Sequence, residues 1–430
     1  MIEIVNIIFL ISSMTCITCF PILRLTSNNL YLKNNNKFLE NSLNLSIFLN
    51  IFLILSFFET NLSLIFYLIL ILPIIMNIFF VRKFRLPLEF LYLFIFTLVI
   101  SINISSNLIL EWDAAAIWIY RVKNFFFNNN FYNLSNIPGV ISYPHLGTYI
   151  WSFFWKNNFF DAEYTGRIFY AFCYSLSILT IINFNQKELL KKIIITSIFY
   201  TISIDYYLFS GYQEYLVFSC LIFIFYFYKK YYNEQNVYFL IPIILFINSI
   251  IWIKNEAAFF ILFFFIFVFF KNLIEKKNIK KELILIFLIF LMFVLIKYLI
   301  FYESFNVLNS GWHGYTINKI DNLIQLDYFF ERLTSITLAI FIGLIKCKIY
   351  IVFFLTILFL HSKKDNNYLM PFLFFLILNV VFIFFIYYFT NDPAWRHYMS
   401  TTVDRILFQT SGVFLIPILY YLKKIPKIKS

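Results

Sequence analysis

Long apolar runs, separated by short polar ones, follow each other along this chain and leave few folds open to it. A helix needs about 20 mostly apolar residues to cross the hydrocarbon core of a bilayer. Runs of that kind lie near 2–22, 43–58, 61–80, 87–107, 163–183, 190–206, 209–228, 237–253, 256–270, 282–302, 340–361, 368–389 and 405–422. Of the 430 side chains, 62% are apolar and 13% charged, against roughly a quarter charged in a soluble domain. A soluble enzyme, a nucleic-acid-binding module and a disordered chain are thereby excluded. The expected fold class is all-α, a polytopic integral membrane protein with about 13 transmembrane helices. Part of the Phe, Ile, Lys and Asn excess also fits an AT-rich coding bias, so composition by itself overstates function.

The formal charge of +12 marks sidedness more than a nucleic-acid partner. Cytoplasmic loops of membrane proteins collect Lys and Arg. With the N-terminus outside and thirteen spans, most of the 34 basic residues fall on the cytoplasmic side, among them Arg24, Arg82, Lys83, Lys187, Lys229, Lys276, Lys277, Lys363 and Lys424. Lys346 and Lys348 fall inside the 328–361 region and would split it into two helices; Lys297 lies within a span. The expected location is the bacterial inner membrane, with the C-terminus cytoplasmic. The first 22 residues carry Glu3 where a signal peptide has a basic region, and no small-residue cleavage site follows. Cys16 and Cys19 form a C-x-x-C inside a predicted span, which reads as small residues in lipid more than as a redox or zinc site.

The external loops are unequal. Most are short, but 108–162, roughly 303–339 and 390–404 are long, as suits an enzyme working at a membrane surface. The first opens with EWDAAAIWIYRVKNFFFNNN. At about 100° per residue, Trp118, Ile119, Val122, Phe125 and Phe126 fall on one arc and Asp113, Tyr120, Arg121, Asn124 and Asn128 on the other. That pattern predicts an interfacial helix with its apolar face in lipid and its polar face toward water or protein. Asp113 at its start is equally an N-cap or a functional carboxylate. After an Asn-rich turn comes SYPHLGTYIWSFFW, where Pro144 and Gly147 bracket His145 ahead of a second aromatic interfacial helix.

In this order the segments resemble the GT-C superfamily of membrane glycosyltransferases, which includes aminoarabinose transferases and protein mannosyltransferases. The matching pieces are Asp113 in EWDAAAIW, Arg121 and Lys123 in YRVK, YPHL at Tyr143–Leu146, SGYQEY at 210–215, WIKNEA at 252–257 and TTVDR at 401–405. The family usually has Pro where this chain has His145, which leaves that residue's role open. The resemblance covers about 105–260 and, more weakly, 395–417. It implies N-terminal transmembrane helices over 1–86 followed by a GT-C-like catalytic region over 87–430.

What the resemblance implies chemically is sugar transfer from a polyprenyl-phosphate donor to a glycan, lipid or protein acceptor at the periplasmic face, with inversion. An acceptor hydroxyl must lose a proton as it attacks, and Asp113 is the candidate base. The departing lipid phosphate gains charge that fixed cations must meet. Arg405 is the first candidate for this, since an Arg fork holds phosphate bidentately; Lys254 and His145 come second. Arg121, Asp205, Glu214 and Glu256 are expected to shape the acceptor side, although each also reads as an ordinary interfacial charge. Some members use a divalent metal, but no His/Asp spacing here specifies one, so the cofactor is unknown. His313 in GWHGY either caps the site or sits in a Gly-flanked turn. The other readings are a transporter or flippase of a lipid-linked saccharide, which predicts mid-span charges and repeat symmetry, an O-antigen ligase or polymerase, and a structural scaffold. The partners expected are the sugar donor, the acceptor and the lipid bilayer, with no nucleic acid.

Overall fold

The computed structural model describes residues 2–19, 37–80, 88–137, 143–182, 189–305, 326–360, 366–389 and 395–424. Among these the chain is helical throughout, with no strand. The helices are α1 (Ile2–Thr18), α2 (Lys37–Leu55), α3 (Leu62–Phe80), α4 (Leu88–Ser106), α5 (Ile119–Phe126), α6 (Leu146–Lys156), α7 (Tyr164–Ile182), α8 (Leu189–Ser203) and α9 (Glu214–Glu234). They continue with α10 (Leu240–Ile251), α11 (Ala257–Ile274), α12 (Lys281–Phe305), α13 (Leu326–Lys346), α14 (Lys348–Leu360), α15 (Asn366–Phe389), α16 (Trp395–Ser411) and α17 (Leu415–Lys424).

A helix occupies most of the described part of every stretch that hydropathy marks as a span. By length and composition, however, six helices among the described residues are able to cross a membrane, or seven if a bent pair counts as one. Four more are apolar but shorter. Two polar stretches expected as loops are partly helical: 326–339 lies in α13, and 395–404 in α16. Their Asp, Glu and Arg residues depress the hydropathy, which is why the sequence hides them. As Lys346 and Lys348 foreshadow, α13 and α14 meet at an 80° bend at Cys347. His313 and the rest of 306–325 lie outside the described residues.

Contacts divide the chain into two compact units. The first comprises 1–200, 204–255 and 293–307; the second comprises 201–203, 256–292 and 308–430.

At the centre of the first unit stands α7, packed against α1, α2, α4, α6 and α9. Every one of its residues is buried, Arg167 and its Ser and Thr residues included. Small and polar side chains join the helices where lipid offers no hydrophobic driving force. Ser42 Oγ meets Thr180 Oγ1 at 2.9 Å between α2 and α7, and Asn50 of α2 donates to Leu245 O at 2.9 Å and Ser249 Oγ at 3.0 Å on α10. Gly166 lets α6 lie directly on α7, since a Cβ there would come within 2.2 Å of the Trp151 carbonyl oxygen.

Two helices of this unit are short. At about 1.5 Å per residue, α8 with 15 residues and α10 with 12 extend roughly 22 and 18 Å, less than the ~30 Å of a hydrocarbon core. The turns after them would expose backbone polar groups, which membranes tolerate only where protein covers them. Here protein does: Ser210–Gln213 and Trp252–Lys254 are buried. The cover is the 108–162 segment.

In the second unit α11 packs against α15, α13 against α15 and α16, and α14 against α17. Gly343 of α13 allows the close approach of Leu407 of α16, whose Cδ1 lies 2.8 Å from where a Cβ would stand.

Candidate active site at the covered turns

The 108–162 segment docks on both turns of the first unit through backbone hydrogen bonds. Glu111 N–H donates to Ser210 O at 3.1 Å, and Leu146 N–H donates to Trp252 O at 3.0 Å. Gly211, at φ +85°, brings its backbone against Ala114, Leu110 and Trp151. EWDAAAIW, YPHL, SGYQEY and WIKN, far apart in sequence, are thereby neighbours.

Asp113 is the second residue of a helical stretch that begins at Trp112, whose residues Ala114–Trp118 form a π-turn running into α5. Such π-bulges recur at functional sites. Asp113 has helical dihedrals (φ −63°, ψ −37°), and its side chain makes no cap hydrogen bond. It is half-buried. The capping role that its position suggests is therefore not the one it plays.

The amphipathic pattern of α5 is present, but its apolar arc faces protein where lipid was expected. Trp118, Val122 and Phe125 are fully buried, and the Phe125 and Tyr149 rings meet edge to face at 5.1 Å. The second aromatic helix, α6, is buried over 146–154. Hydropathy alone does not distinguish a face against lipid from one against other apolar helices. Arg121, on the polar arc, is also buried and donates to the carbonyls of Tyr143 and Pro144, the latter at 3.1 Å. Burial lowers its pKa to about 10, partly offset by Tyr143. It shapes the site by fixing the YPHL turn.

His145 is enclosed by protein. Its ring is fully buried, Nε2 lies 2.6 Å from Ser56 Oγ, and Phe57, Phe131 and Trp252 pack around it at 5.4, 4.5 and 5.4 Å. Burial, then the charges of Arg121 and Lys297, hold its pKa well below the ordinary value of 6.5, so the imidazole is neutral. A neutral ring in an aromatic box favours a packing role for His145 over the phosphate contact that the resemblance suggests.

Lys254 and Glu214 come together as a buried ion pair at 3.1 Å. The ammonium also lies over the Trp118 ring, 5.4 Å from its centre. Its charge is matched by Glu214, so Lys254 reads as a site-shaping cation more than as a phosphate clamp. Asp205 is half-buried beside these elements, its backbone N–H donating to Tyr215 Oη at 2.6 Å.

Glu256 and Arg405 belong to the second unit. There Gln409 Nε2 donates to Glu256 Oε1 at 3.1 Å. Arg405 is 7% exposed, and its backbone N–H donates to Asp404 Oδ1 at 3.0 Å, while Asp404 Oδ2 lies 3.6 Å from Lys346 Nζ. No group of three His, Cys, Asp or Glu side chains is placed to hold a metal among the described residues.

Two residues missed in the sequence take part. Arg167, fully buried in the first turn of α7, donates to Glu163 Oε2 at 3.0 Å and to the carbonyl of Phe209. It ties α7 to the turn that carries SGYQEY. Arg332 of the second unit stacks its guanidinium on Trp395 at 3.9 Å and donates to the Tyr387 carbonyl. The one available signal was a lone Arg within or beside an apolar run.

Fold and site together define an all-helical protein with several apolar helices long enough for a membrane and a polar cluster buried under an inter-helix segment. Set against protein-family models, curated proteins and solved structures, the chain matches none.

Proposed function

We propose that this protein is a GT-C-type membrane glycosyltransferase that moves a sugar from a polyprenyl-phosphate donor to a cell-envelope acceptor at the outer face of the inner membrane. The observation that carries this reading is the assembly of EWDAAAIW, YPHL, SGYQEY and WIKN around one buried polar cluster. In the proposed topology thirteen spans place the N-terminus outside and all four segments on the external side.

Asp113 is the proposed base: it takes the acceptor hydroxyl's proton as that oxygen attacks the anomeric carbon and the lipid phosphate departs. Its half-exposed carboxylate at the start of the covering segment suits that task. Asp205 and Glu214, with Arg121, shape the acceptor side. For Arg405 and Glu256, which lie in the second unit, the phosphate-binding and acceptor-shaping roles rest on the sequence resemblance alone. The flippase reading looks to Lys297 as a mid-span charge; that ammonium is held by a backbone carbonyl and an amide oxygen, which favours a structural role for it.

The test is to incubate purified protein with a panel of polyprenyl-phosphate sugars and follow lipid phosphate release. Asp113→Asn should lower the rate by roughly 10²–10⁴, the usual share of a general base, with insertion and thermal midpoint unchanged. An Asp113→Asn protein as active as the wild type rejects the assignment, and no release with any donor rejects the class.

A further inference from the structure

Lys297 lies well inside α12, a 25-residue helix that is otherwise almost wholly apolar. An ammonium group at such a place is strongly disfavoured unless its protons are met. Here Nζ donates to Ile251 O at 2.7 Å and to Asn255 Oδ1 at 2.8 Å. Ile251 is the last residue of α10, so its carbonyl is among the four that a helix end leaves unpaired, at the negative pole of the helix dipole. Asn255 stands at the far end of the same turn. One cation thus pins both ends of the segment 252–254.

That segment carries two of the contacts that build the site. Trp252 O receives the N–H of Leu146, and Lys254 pairs with Glu214 over Trp118. One turn further along α12, Phe301 stacks on Trp252 at 5.7 Å and meets Phe131 at 5.4 Å. The same face of α12 therefore supplies both the polar pin and the apolar seat.

We propose that Lys297 is a positioning residue: by clamping Ile251 and Asn255 it holds the WIKN turn in the shape that sets Lys254 against Glu214 and docks the start of α6. The proposal rests on the placement of the cluster in the first unit and not on the reaction assigned to it.

Hydrogen–deuterium exchange on the full chain in detergent tests this without an activity assay. Lys297→Met should speed exchange at 252–256 and at Leu146 by roughly 10–100-fold, the range for losing a hydrogen bond from a charged donor. Exchange in α2 and in the middle of α9 should stay as in the wild type, and Lys297→Arg should restore the slow exchange. Unchanged exchange overturns the proposal. So does a uniform rise over α2, α9 and the turn, which marks a general loss of stability, and so does failure of the Arg variant to restore it. Should Lys297→Met not fold, Asn255→Leu removes one acceptor alone. It should loosen the same turn selectively, and no change there equally overturns the idea.

Discussion

Lys254 and Glu214 are the residues at which burial and charge meet most directly. Removing two charges from water is expensive, and their attraction returns that cost only while both are present. Lys254→Met or Glu214→Leu alone leaves one uncompensated buried charge and should destabilise the first unit by about 3–5 kcal/mol. The double variant, apolar and of similar volume, should recover most of that loss. Thermal unfolding of the three variants in detergent checks this; equal losses in the single and double variants would mean that the pair is not coupled. These two residues stood out in the sequence because polar side chains are scarce there. Their partnership did not, since nothing in WIKNEA or SGYQEY states that the two turns lie side by side. Arg167 and Lys297 were harder still, because both donate to backbone carbonyls, and a carbonyl has no signature in a sequence.

At the scale of elements, the helices were legible and their environments were not. The amphipathic arcs of α5 follow from its residues alone, but the choice between lipid and protein for the apolar arc depends on α6, which hydropathy treats as another surface helix. The segments that became α13 and α16 were hidden for the converse reason. Their charged residues find partners across the α13–α16 contact, as Glu331 does in Arg396 and Asp404 in Lys346, and so tolerate a helix that hydropathy disfavours. The docking of the 108–162 segment hinges on Gly211. A Cβ there would meet Trp151 at 2.8 Å, Leu110 at 2.9 Å and Ala114 at 3.0 Å, and φ +85° already disfavours any other residue. Gly211→Ala should cost about 2–4 kcal/mol from left-handed backbone and overpacking combined. A thermal midpoint equal to the wild type would show that the docking is looser than the contacts imply.

For the whole molecule, orientation is the property carried by charge placement. The proposed topology, thirteen spans with the N-terminus outside, would place 108–162 and 275–281 on opposite sides of the bilayer. In a background without the five native cysteines, an impermeant maleimide applied to whole cells should label Ser135→Cys, which is exposed in the covering segment. It should label Lys277→Cys only after permeabilisation. The reverse pattern would invert the proposed topology and move the candidate site to the cytoplasmic face.

The enclosure of α7 sets conditions on how the chain is made. A segment holding Thr165, Arg167, Ser175, Ser177 and Thr180 carries polar groups that lipid does not meet, and in the finished protein it touches protein on every side. Its neighbours α1, α2, α4 and α6 precede it in synthesis, but α9 follows and closes the last side. Between those two moments an Arg-bearing helix has one flank uncovered in the membrane. Shielding of α7 by the insertion machinery until the ribosome has delivered α9 is the expected consequence, and truncations ending between them should be retained or degraded.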